Sequence, residues 1–136
     1  MSFELREHTA DVAVAAEGET LGETFAAAAD GLAAAMCDEI PDGGECYQIG
    51  VHSESEEALL FDYLDDLIYQ RDVEHVLPVD NEAEVFFRDG QWILRGRFRG
   101  VPLDRVRARE VKAVTYSEMR VEQTDDGYEA YVVLDV

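Results

Sequence analysis

Lysine is nearly missing from this 136-residue chain: of eleven basic residues ten are arginines, and Lys112 is the one lysine. Basic charge of any kind is scarce, because thirty-one Asp and Glu leave a net charge of −20. That balance argues against direct nucleic-acid binding, which rests on Lys and Arg displacing the counterions of phosphates. A cation or a basic protein surface is the more natural partner. Cysteine is scarce too. Cys37 and Cys46 form no CxxC and no paired His/Cys spacing, so both are read as small buried hydrophobes rather than metal ligands or half-cystines. No apolar run is long enough to span a bilayer, since the stretch 25–36 is broken by Asp30 and Gly31. The start Met1-Ser2-Phe3-Glu4 has neither the basic nor the apolar region of a secretory leader. A soluble, cytoplasmic protein without disulfides or a membrane partner is expected.

What is present is an ordinary core beneath an acidic skin. Hydrophobic residues make up 47% of the chain, a content and length that suit one domain over residues 1–136. The acids are spread through periodic apolar segments rather than gathered in a tail, which argues for a folded protein. Such a surface suits a salt-rich cytoplasm, where screening relieves carboxylate repulsion, and it predicts weak stability at low ionic strength.

The periodicities predict an α+β domain with two helices packed on a mainly antiparallel sheet. Phe3 and Leu5, then Val12 to Ala16, alternate as short strands. Thr20 with Glu23 makes a capping box for a first helix, whose face is Leu21, Phe25, Ala28, Leu32 and Met36. Residues 38–45 read as loop, 47–51 as strand, and 55–70 as a second helix striped by Leu60, Phe61, Leu64, Leu67 and Ile68. Residues 73–78 read as loop. Beyond Val79 all is strand, with hairpin signals at Asp89-Gly90 and Asp125-Asp126-Gly127 and an irregular stretch from Val101 to Arg109.

Several constellations could carry chemistry. Lys112 either sits at a working site that needs a compact, deprotonatable, rotatable donor, for which an arginine fork would not substitute, or is a lysine kept by chance on a strand. If the strand begun by Asp11 runs beside the last one, then Asp11, Asp135 and an oxygen of Val136 supply hard donors that suit calcium, magnesium or manganese rather than zinc. The competing reading makes Asp11 a turn cap and Asp135 a solvated acid. His8 could orient a phosphate or ligate a metal, or it could be a structural hydrogen-bonding residue. His52 and His75 have no partner at diagnostic spacing. Asp62, Asp65 and Asp66 lie near one helical face, either as a partner contact or as the wet side of the helix. Arg95, Arg97 and Arg99 project from one strand face, with Arg105, Arg107 and Arg109 following; the strip either docks an anion such as RNA or neutralises neighbouring carboxylates. No Gly-rich phosphate loop and no nucleophile–base pair is evident.

Three stretches taken together carry a family likeness: His8-Thr9-Ala10-Asp11-Val12, the run EVKAVTY from Glu110 to Tyr116, and Val133-Leu134-Asp135-Val136. With Thr20–Phe25 (TLGETF) and Leu59–Leu64 (LLFDYL) between them, the chain resembles the archease family over essentially its whole length. It departs from the family pattern at Ala13, where Gly is frequent, and at Ser117, where His is frequent. The resemblance implies an accessory protein rather than an enzyme. Archeases assist the GTP-dependent RNA ligase of tRNA splicing by promoting its guanylylation and multiple turnover, and they broaden its nucleotide choice. It further implies a calcium-type site at Asp11, Asp135 and Val136 with Lys112 nearby. Ligase activation would then fall to Lys112, Asp11, Asp135 and His8, with Asp62 as a candidate partner contact. A small metal-dependent hydrolase or nucleotidyl enzyme, and a chaperone-like module for RNA-processing enzymes, are the competing functions.

Overall fold

The computed structural model describes the backbone of residues 1–8 and 11–136, and the side chains of all of these except 6–8. The elements run β1 (Ser2–His8), β2 (Asp11–Gly18), α1 (Leu21–Met36), β3 (Glu45–Ser53), α2 (Glu56–Glu74), β4 (Val76–Arg88), β5 (Gln91–Pro102), a 3-10 turn (Leu103–Arg105), β6 (Ala113–Gln123) and β7 (Tyr128–Asp135). All strand pairing is antiparallel, as expected, but the strands divide into two sheets: one of four strands, β1-β2-β7-β6, and one of three, β3-β5-β4.

The helices bridge the sheets. α1 packs on β1, β2 and β7 of the larger sheet and on β4 of the smaller; α2 packs on β6 of the larger and on β3, β4 and β5 of the smaller. Being covered from both sides, α1 is buried almost all round, and its alanines let backbones approach closely. At Gly22 a Cβ would sit 2.3 Å from the carbonyl oxygen of Ala83, so only glycine lets α1 come this near β4. The cap forms with its return bond shifted by one residue: Thr20 Oγ1 accepts from the Glu23 N–H at 3.1 Å, and the Glu23 carboxylate accepts from the N–H of Glu19, just ahead of the cap, at 3.0 Å.

The core holds Phe25, Leu32, Met36, Leu59, Leu60, Tyr63, Leu64, Leu67 and Phe98, all fully buried. The expected α2 stripe is there, except that Phe61 is only half-buried while Leu59 and Tyr63 join it. The expected loop at 73–78 is mostly regular structure. α2 runs on to Glu74, His75 ends it in the left-handed region (φ 56), and β4 starts at Val76. Pro78 is tolerated because β4 is an edge strand. Cys37 is buried, as expected; Cys46 is exposed, on edge strand β3.

Candidate functional site

One end of the larger sheet gathers three of the charged groups singled out above. β2 and β7 are antiparallel neighbours with Val12 opposite Leu134, and that register puts Asp135 across from Asp11. Directly opposite residues leave a sheet on the same face, so the two carboxylates project together. On the other flank of β7, Ala113 of β6 lies opposite Asp135. The backbone N–H of Lys112 donates to the Asp135 carbonyl at 2.8 Å. Lys112 therefore enters just ahead of β6 rather than inside a strand. Lys112, Asp135 and Val136 are exposed, and Asp11 is half-buried. Across from Asp11 on the β1 side stands the backbone of His8; its imidazole, like Thr9 and Ala10, lies outside the described residues. Among the described residues no three His, Cys, Asp or Glu side chains come together as a metal-holding group. Asp11 and Asp135 are two carboxylates, and any further donor to a hard cation would have to come from Val136 or from outside the described residues.

Beside this end, β6 bulges between Thr115 and Arg120, with Glu118 in the left-handed region (φ 57). The bulge lays Tyr116 flat on Phe61 of α2, ring centroids 4.2 Å apart and planes within 4°. Loss of hydration, and next the Asp62 carboxylate, push the Tyr116 phenol above its ordinary value. Asp62 accepts a short hydrogen bond from the Ser53 hydroxyl, so it is tied to β3 and half-buried. Asp65 is exposed; Asp66 is half-buried, its carboxyl raised by burial and by Asp65.

The arginine strip lies elsewhere, on β5 of the smaller sheet. Arg97 pairs with Glu82, and Arg99 pairs with Asp80 at 2.8 Å while donating to the carbonyls of Pro41 and Gly43. The guanidinium of Arg95 sits 5.5 Å over the ring of Phe86. For Arg97 and Arg99 the neutralising role is the one observed. An open groove of about 660 Å³ is lined there by Gln48, Gly50, Glu82, Glu84, Arg95 and Arg97, and holds none of the residues gathered at the β2–β7 end.

The comparisons with known proteins agree with one another. The family model described as the archease protein family (MTH1598/TM1083) matches residues 3–136. The chain belongs to the archease family. It is 37% identical to the protein archease of Archaeoglobus fulgidus, the alignment covering 100% of both chains. It is 34% identical to that of Pyrococcus furiosus, over 98% of each. Among solved structures it is similar to protein 1598 of Methanobacterium thermoautotrophicum, with TM-score 0.87 and 31% identity over 99% of both chains. A Thermotoga maritima archease, described as a possible chaperone, shares the fold at TM-score 0.61 and 21% identity, over 98% of this chain and 96% of that one.

Two arginines hold main-chain carbonyls around the segment that leads into β6. Arg71, in the last turn of α2, is buried; its Nη1 donates to the Val111 carbonyl at 2.9 Å, and its Nε and Nη2 to Asp72. The available signal was its place on the apolar stripe, three and four residues beyond Ile68 and Leu67. Arg109 reaches the end of α1, which has no basic residue in its own last turn. It donates to the carbonyls of Ala34 and Ala35 and pairs with Asp38, while its N–H bonds the Met36 carbonyl. That cation holds the Asp38 carboxyl below its ordinary value, the hydrogen bond being the larger cause.

Proposed function

We propose that this member of the archease family is an accessory protein that activates the GTP-dependent RNA ligase of tRNA splicing. It acts on the guanylylation step and so on multiple turnover. In that step a ligase histidine nitrogen attacks the α-phosphorus of GTP; an N–P bond forms, the bond to the bridging oxygen breaks, and pyrophosphate leaves. The observation that supports the reading is that the backbone brings Asp11, Asp135 and Lys112 to one end of the larger sheet. An acidic tip with one lysine is suited to enter an electropositive active-site mouth. There the Lys112 ammonium can follow the charge that develops on the departing phosphates. Asp11, Asp135 and Val136 would hold a calcium-type cation, which would supply a Lewis-acid charge beside the phosphates. His8 and Asp62 are candidate supports for the contact, and a broadened nucleotide choice would follow from the same repositioning.

The test is a guanylylation time course of the partner ligase in high salt, with wild type and with Asp11→Ala, Lys112→Ala and Asp135→Ala. Wild type should accelerate the reaction. Each variant should lose at least about tenfold of that gain while melting as wild type does. Full stimulation by all three variants would end the proposal. The chaperone reading is favoured by the description of the Thermotoga relative. Protection of unrelated clients from aggregation, with no effect on guanylylation, would select it; turnover of nucleotide without the ligase would select the hydrolase.

A further inference from the structure

The peptide unit joining Val111 to Lys112 is held on both of its polar edges. Its carbonyl accepts from the buried guanidinium of Arg71 at 2.9 Å, and its N–H donates to the Asp135 carbonyl at 2.8 Å. A peptide unit is planar, so two bonds on opposite edges set the orientation of the whole plane, and with it the Cα from which the Lys112 side chain departs. Val111 itself is fully buried. We infer that Arg71 is a positioning residue for Lys112: it anchors the entry to the site from α2, through the backbone and without touching the site. The inference rests on the ligase-activating reading for its consequence, though not for its geometry.

The chemistry asks for arginine in particular. Nε and Nη2 are committed to Asp72 at 3.0 and 2.9 Å, which leaves Nη1 free to reach Val111 across the interior. The same Nη1 lies 3.8 Å from the Met36 sulfur, at the end of α1, so one planar group ties α2, the end of α1 and the strand-entry segment together. A lysine carries its charge at one point and cannot serve Asp72 and Val111 in that geometry. A guanidinium on the carbonyl also polarises the peptide, strengthening the N–H that Lys112 gives to Asp135.

Amide hydrogen exchange on the folded protein, read at Lys112 and at the β2–β7 core, tests the anchor directly. In Arg71→Met, which keeps the apolar bulk, and in Arg71→Lys, which keeps the charge, exchange at Lys112 should quicken by about tenfold or more. The amides of Val132 and Leu134 should stay as in wild type. With the ligase, both variants should lose most of the stimulation, and Arg71→Met combined with Lys112→Ala should be no worse than Lys112→Ala alone. Unchanged exchange at Lys112, or wild-type behaviour of Arg71→Lys in both assays, overturns the inference. Should Arg71→Met unfold, Arg71→Lys decides alone. If Lys112→Ala stimulates fully, the part given to Lys112 in ligase activation falls, and the exchange experiment still judges the anchor.

Discussion

The two sheets treat their charges differently. In the three-stranded sheet, charges of opposite sign settle one another across neighbouring strands, Arg97 against Glu82 and Arg99 against Asp80. At the end of the four-stranded sheet, Asp11 and Asp135 lie opposite one another by register, the one lysine enters next to them by a backbone bond, and Arg71 holds the main chain at that entry. A surface whose charges cancel locally has little left to offer a partner. One that gathers like charges in register carries an electrostatic cost that a partner or a cation can relieve. On the function proposed above, the contrast would give stability work to the smaller sheet and contact work to this end of the larger one.

Core substitution should break the protein at the smaller sheet with the largest effect. Phe98 is fully buried on β5 and stacks on Tyr47, ring centroids 5.2 Å apart. Phe98→Ala should cost about 3–5 kcal/mol, read by denaturant melts, while the fraction that remains folded still stimulates the ligase. Asp135→Ala should do the reverse. It should remove stimulation by about a hundredfold, equivalent to roughly 2.7 kcal/mol, and leave the melt nearly unchanged. Arg95→Ala with Arg97→Ala belongs with neither. Arg97 and Glu82 are 64% and 63% exposed, so water screens the pair, the melt should hardly move, and stimulation should hold within about twofold. A loss of stimulation in that double variant would move contact work onto the smaller sheet and undo the division.

The same contrast explains what could be read before folding. Thr20 and Glu23, the apolar stripe of α2 and the Asp89-Gly90 turn are local signals, and each element they mark is present. Division into two sheets is a choice of strand partners across the chain, which alternation does not encode. The end of α2 was missed because His75 takes the left-handed position where Gly or Asn is the usual sign. The wide bulge in β6 left no signature in the run from Thr115 to Arg120. At the site, the sequence offers the neighbourhood of Asp11 and Asp135 only on the condition that β2 lies beside β7, and that pairing is visible in the structure alone. The part played by Arg71 was open to view as a charge on a buried stripe, and needed only the question of what acceptor such a charge would find.

Salt should sharpen the comparison more gently. With a net charge of −20, the chain repels itself over distances that about 0.1 M salt screens only beyond roughly 10 Å, and that 1 M salt screens beyond roughly 3 Å. The melting temperature should rise by several degrees between those conditions. In the Asp135→Ala protein, which has lost one of the paired carboxylates, the rise should be smaller than in Arg97→Ala, which has lost a neutralising cation. Equal salt slopes in the two variants would mean that the charge at the β2–β7 end is no more crowded than elsewhere.

The smallest effect lies in the two carboxylates by which α1 and its end reach the two halves of the molecule. Asp30 Oδ1 accepts from the N–H and the side-chain amide of Asn81, both at 3.0 Å, at the bulge of β4; burial raises its carboxyl above the ordinary value, with Asp80 adding to that and Asn81 opposing it. A raised acid binds its proton more readily in the folded state. Its contribution is therefore fully present below the ordinary Asp range and is lost as pH climbs through the raised value. Asp38 is the opposite case, held down by Arg109, so its contribution is present at neutral pH and is lost as pH falls through the lowered value. Asparagine at either position keeps an acceptor and removes the titration. Plotted against pH from 3 to 7, the stability advantage of wild type over Asp30→Asn should shrink as pH rises, and that over Asp38→Asn should grow. Two curves sloping the same way would mean that the Asp30–Asn81 contact and the Asp38–Arg109 contact respond to protons alike, against the opposite directions that burial and the guanidinium impose.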